Sequence, residues 1–136
     1  MTKKDEEEYL KIKGIKKNKN GSLYVSNPDL LEEIIKSKEA DELTYNAVMM
    51  LKLLCERLAM MKYCKYSEWR DDITGGAILD CLKYWRSFDP EKSSNPFAYF
   101  TSVATNGMNK TWRAMGKLHF PESIMTSIDN INIHTI

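Results

Sequence analysis

LTYNAVMMLKLLCERLAMMKY, Leu43 to Tyr63, is the stretch that decides the fold. Val48, Leu51, Leu54, Cys55, Leu58 and Met61 recur at intervals of three and four, the spacing that makes one broad face of an α-helix apolar. This predicts a helix over about 43–63 that acts as the spine of a core. Met49, Met50, Met60 and Met61 read as gap-filling core residues, with a promiscuous docking groove as the alternative.

Working outward, Asn27-Pro28 gives a cap and a proline at the first helical position, and Leu30, Leu31, Ile34 and Ile35 continue with helical spacing over about 28–38. On the other side, Ser67 with Glu68, Asp71 and Asp72 in the first turns opens a helix that runs to about Phe88, where Asp89-Pro90 stops it. Its inner stripe is Ile73, Ala77, Cys81, Trp85 and Phe88. A last helix is capped by Asn95, begun by Pro96 and ended by Gly116. No segment alternates as a strand, so the fold class is all-α.

The chain has 136 residues, enough for one domain with a hydrophobic core. We expect a flexible leader over 1–22, rich in lysine, asparagine and glutamate, a helical domain over 23–118, and a C-terminal tail over 119–136.

With 43% hydrophobic residues, 29% charged residues and a net charge of +1, the composition is that of an ordinary globular protein and does not select a partner. The start, MTKKDEEEYL, is charged where a secretory signal would be apolar. The longest apolar run, 47–54, is interrupted by Lys52 and too short to span a bilayer, so a cytoplasmic protein without membrane contact is expected. Three cysteines (Cys55, Cys64, Cys81) and two histidines (His119, His134) show no metal-ligand spacing, and no cofactor or metal is expected. No nucleophile-base pair or glycine-rich phosphate loop stands out, and Asp71-Asp72 reads as helix-start charge, so the chain is not expected to be an enzyme.

Charge distribution says more than charge total. From Lys92 to Phe120 there are Lys92, Lys110, Arg113 and Lys117 but no acid. On a helical wheel, Phe97, Phe100, Ala104, Met108 and Met115 form a core-directed stripe, whereas Tyr99, Ser102, Asn106, Lys110, Arg113 and Lys117 share another face. That second face is aromatic, polar and cationic, as a grip on nucleic acid requires, since cations displace condensed counterions and a ring stacks on unpaired bases. A solvated face with a basic end is the alternative. Trp112 is ambiguous between the two faces.

Upstream, Gly75-Gly76 interrupts a helical pattern at about 1 kcal/mol per glycine relative to alanine. Either the helix is weak there, or another backbone approaches over Asp72, Gly75, Gly76, Leu79 and Lys83, which lie opposite the core stripe.

Taken in order, DDITGGAILDCLKYWRSFD (71–89) and NPFAYFTSVATNGMNK (95–110) resemble region 2 of bacterial sigma factors, and within them the small late-transcription sigma subunits of T-even-type phages. The general pattern of an aspartate-opened helix ending in Phe-Asp matches 72–89, and its Tyr-x-Thr matches Tyr99 and Thr101. The phage type is similar at Asn95, Pro96, Ala98 and Tyr99, at Trp69-Arg70, and at Tyr24, Val25 and Asn27. The resemblance spans about Tyr24 to Lys117.

It implies that Asp72, Gly75, Gly76, Leu79 and Lys83 contact the clamp helices of the largest subunit of host core RNA polymerase. It implies equally that Tyr99, Thr101, Ser102, Asn106, Lys110, Trp112, Arg113 and Lys117 contact an AT-rich minus-ten promoter element, with Tyr99 as stacking platform. Ser102 and Val103 stand where primary sigma factors carry a tryptophan wedge, so easy melting of AT-rich DNA or help from Trp112 must substitute. No second helix-turn-helix is expected after Pro121, and the tail with Ile128, Asp129, Ile131, Ile133 and Ile136 is a candidate contact for a sliding clamp or late coactivator. The alternative is an all-α adaptor or anti-sigma-like protein that binds a partner without touching DNA; a double-strand-binding helix-turn-helix regulator ranks third.

Overall fold

The protein is described here by a computed structural model covering residues 2–119. The tail beyond 119, and the side chain of Lys117, lie outside the described residues. The order is α1 (Lys3–Leu10), β1 (Ile15–Lys17), β2 (Leu23–Val25), α2 (Asn27–Ala40), α3 (Tyr45–Lys62), α4 (Ser67–Tyr84), a 3-10 turn (Trp85–Ser87) and α5 (Pro96–His119). The all-α expectation holds, with one small antiparallel hairpin added in the register Ile15↔Val25, Lys16↔Tyr24 and Lys17↔Leu23.

α3 is the spine that the spacing predicts. Leu51, Leu54, Cys55 and Leu58 are buried, and the Thr44 hydroxyl caps the helix by accepting from the Ala47 amide at 3.2 Å. Thr44 in turn donates to the buried Glu33 carboxylate at 2.8 Å, which ties α2 to the start of α3. The methionines divide: Met49 and Met50 are core, whereas Met60 and Met61 are exposed and border a groove of about 670 Å³ between α3 and α4.

α4 and α5 form the closest helix pair, and α3 packs across both. Ile73, Ala77 and Cys81 of α4, Trp85 and Phe88 after it, and Phe100, Ala104 and Met108 of α5 meet α3 in the core. Phe97, expected in that stripe, is instead exposed in the first turn of α5, and Met115 is partly buried. Gly116 does not end the helix, which continues to His119.

Two boundaries are corrected. The supposed leader is folded: Tyr9, Ile12 and Ile15 are buried in the core, and Arg57 of α3 donates to the Leu23 carbonyl, fastening the hairpin to the spine. Asn27 does not cap its own helix. Its side-chain oxygen accepts from the Phe97 amide at 3.0 Å and its amide donates to Asn95 at 3.0 Å, so a residue of α2 completes the start of α5 together with Asn95, which accepts from Ala98 at 3.2 Å. Among the described residues, no helix is long and apolar enough to cross a membrane.

Candidate functional site

The separation of α4 from α5 is set by two glycines. A Cβ on Gly107 would stand 2.5 Å from the Gly76 carbonyl oxygen and 3.0 Å from the Ala77 Cα, and a Cβ on Gly76 would run into the Thr111 hydroxyl. Only hydrogen at both positions lets the backbones approach this closely. Gly75 faces open space. Of the two explanations for the glycine pair, close backbone approach therefore holds for Gly76, and the approaching backbone is the chain's own α5. Gly76 is thus partly buried in the helix seam, which corrects its assignment to an outward docking surface.

The rest of that surface faces solvent. Asp72, Gly75, Leu79 and Lys83 are exposed on one stripe of α4, and Leu79 keeps 65% of its surface accessible. Leu82 is exposed beside them. Such apolar side chains flanked by charges, on a helix whose other faces are packed, suit a protein contact.

Along the seam the helices run antiparallel, since Gly76 meets Gly107 and Thr111, Asp80 meets Lys110, and Tyr84 meets Tyr99. Asp80, Tyr84, Tyr99, Val103, Asn106 and Lys110 line a groove of about 400 Å³. The sequence places Tyr99, Asn106 and Lys110 on one face, and the structure brings them to one groove. Ser102 and Arg113 are exposed on the same helix.

Three of the expected DNA-contacting residues are wholly or partly withdrawn from the surface. Trp112 is fully buried, its ring against Tyr66 at 4.7 Å and Tyr63 at 5.5 Å between centroids, so it joins α5 to the α3–α4 connection and does not reach a ligand. Its assignment to DNA contact is corrected on that ground. The Thr101 hydroxyl oxygen is also buried, which removes it from direct contact. Tyr99 is half-buried: its ring packs beside Phe88 and Phe100, and its hydroxyl donates to the Tyr84 carbonyl at 2.6 Å. Burial raises its phenol above the usual tyrosine range, and the residue lines the groove beside Tyr84 and Asn106.

Lys110 is paired. Its ammonium lies 2.8 Å from the Asp80 carboxylate, and that hydrogen bond holds it above the usual lysine range. Sequence reading missed Asp80 and Tyr84. The available signal was the four-residue spacing of Gly76, Asp80 and Tyr84, which puts them on one edge of a helix.

Compared with known proteins, the chain matches no family model, no curated protein and no solved structure.

Proposed function

We propose that this protein is a small sigma-type subunit that binds bacterial core RNA polymerase through α4 and directs initiation at phage late promoters through α5. It would act in the cytoplasm of an infected cell and contribute no catalysis of its own. The observation that carries the reading is the Gly76–Gly107 contact, which holds two unlike surfaces as one body. One is the exposed stripe with Asp72, Gly75, Leu79 and Lys83, and the other is the groove and cationic face with Tyr99, Ser102, Asn106, Lys110 and Arg113.

The division of labour follows from the chemistry. Leu79 and its flanking charges supply apolar anchoring on the clamp helices of the largest subunit. Lys110 and Arg113 neutralise phosphates, while the ring of Tyr99 and the amide of Asn106 meet unpaired bases. Opening an AT-rich minus-ten element costs a few kcal/mol per unstacked base, which polymerase binding and captured bases must offset. With Trp112 packed inside, it does not serve as the wedge, and the reading depends on a readily melted sequence.

The test is reconstituted transcription with core polymerase and a supercoiled template carrying a TATAAATA-like element. Lys110→Ala with Arg113→Ala should abolish promoter-specific starts while leaving co-purification with polymerase intact, and Leu79→Asp should weaken co-purification. A second reading, an all-α adaptor or anti-sigma-like protein that never touches DNA, draws support from the internal pairing of Lys110 with Asp80. It prevails if the α5 double variant behaves as wild type in both assays while Leu79→Asp fails in both.

A further inference from the structure

Asp80 stands out among the residues facing α5. It retains only 7% of its surface, yet it carries a charge at a position where Ala77 and Cys81, its neighbours on the inner side of the same helix, are small and uncharged. Aspartate is a poor helix former, and a buried ion pair is often no better for stability than an apolar pair of similar volume. Its carboxylate accepts from the Lys110 ammonium at 2.8 Å, at the edge of the groove shared with Tyr84, Tyr99, Val103 and Asn106. The Lys110 side chain remains 59% exposed, so its head can leave the carboxylate without disturbing packing.

We infer that Asp80 is a built-in competitor for the phosphate site of α5: its carboxylate occupies the Lys110 ammonium, and a nucleic-acid phosphate gains that cation only by displacing it. This rests on the reading of α5 as a nucleic-acid surface. An ammonium beside a carboxylate adds no net charge to the groove, so the free chain presents less positive potential than its lysines and arginines suggest. When the ammonium turns to a phosphate, Asp80 loses its cation in a poorly solvated seam, and the cost is subtracted from binding. Asp80 is a positioning residue that sets affinity by holding Lys110 back.

The experiment measures binding of a fluorescein-labelled, AT-rich single-stranded DNA oligonucleotide by anisotropy, with wild type, Asp80→Asn, Lys110→Ala and the double variant. Asparagine keeps the shape and removes the charge. Between about 50 and 200 mM salt, Asp80→Asn should bind at least about threefold tighter, because the phosphate no longer has to take the Lys110 ammonium from a carboxylate. Lys110→Ala should cancel the gain in the double variant, an outcome that a purely structural role for Asp80 does not produce.

Wild type that binds while Asp80→Asn binds no tighter, or a gain that survives Lys110→Ala, overturns the inference and leaves the nucleic-acid reading standing. Absence of binding by every variant at low salt overturns both. Should Asp80→Asn fail to fold, carbon NMR of the wild-type aspartates decides. The Asp80 carboxylate resonance should move as the oligonucleotide is added, and an unmoved resonance in the bound protein overturns the inference.

Discussion

Gly75 and Gly76 are adjacent and chemically identical, and they should respond oppositely to the same substitution. At Gly75 a methyl group meets nothing, so Gly75→Ala gains helix propensity and should stabilise the fold by up to about 1 kcal/mol. At Gly76 the methyl collides with Thr111 and presses on the Gly107 carbonyl at 3.1 Å, so Gly76→Ala should cost about 1–3 kcal/mol despite the same propensity gain. Urea unfolding of the two single variants measures both. A stabilised Gly76→Ala would mean that the seam is looser than described. Close approach, and not helix weakness, explains one glycine of the pair; the other sits in the exposed stripe of α4 with nothing against it.

At the scale of elements, α3 and α4 meet through a thiol pair. Cys55 and Cys81 are both buried with sulfurs 3.8 Å apart, whereas Cys64 is exposed in the connection between the helices. The hydrogen bond with Cys81 and the burial of the site raise the Cys55 thiol far above its ordinary value of 9.0. Burial likewise raises the Tyr9 phenol of α1 far above its ordinary 10.0. The unfolded chain gives up these protons above the ordinary values while the folded chain keeps them, so the associated stability is complete below about pH 9 and is lost as pH climbs further. Melting temperature should therefore fall between about pH 9 and pH 11. A flat profile there would argue against burial of both groups. The same burial predicts that a thiol reagent near neutral pH modifies Cys64 promptly and Cys55 and Cys81 only on unfolding.

For the whole molecule, the decisive question is whether the first 22 residues are an accessory or part of the domain. Tyr9 and Ile12 are buried, and Ile15 pairs with Val25 in the hairpin that Arg57 holds against α3. Removing residues 1–22 should therefore destabilise the protein by several kcal/mol, since it strips three large apolar side chains from the core at roughly 2–5 kcal/mol each. Denaturant unfolding of the truncated chain checks this, and unchanged stability would restore the leader interpretation. A stable core in turn keeps α4 and α5 fixed relative to each other, which the proposed division between an enzyme-binding surface and a strand-binding surface requires.

The helices of the core were legible because their signal is local. Three-and-four spacing in 43–63, proline at 28 and 96, and the apolar stripe from Ile73 to Phe88 each announce an element without reference to the rest of the chain. The hairpin was not legible, because strands of three residues show too little alternation and their apolar residues are diluted by lysines. The faces of α5 could be sorted into apolar and polar, yet their neighbours could not. Gly107 against Gly76, Asp80 against Lys110, Trp112 between Tyr63 and Tyr66, and Asn27 over the start of α5 join residues far apart in sequence. Periodicity decides which side of a helix turns inward. Only tertiary packing decides which helix it meets, and so which cation is engaged and which aromatic ring is enclosed.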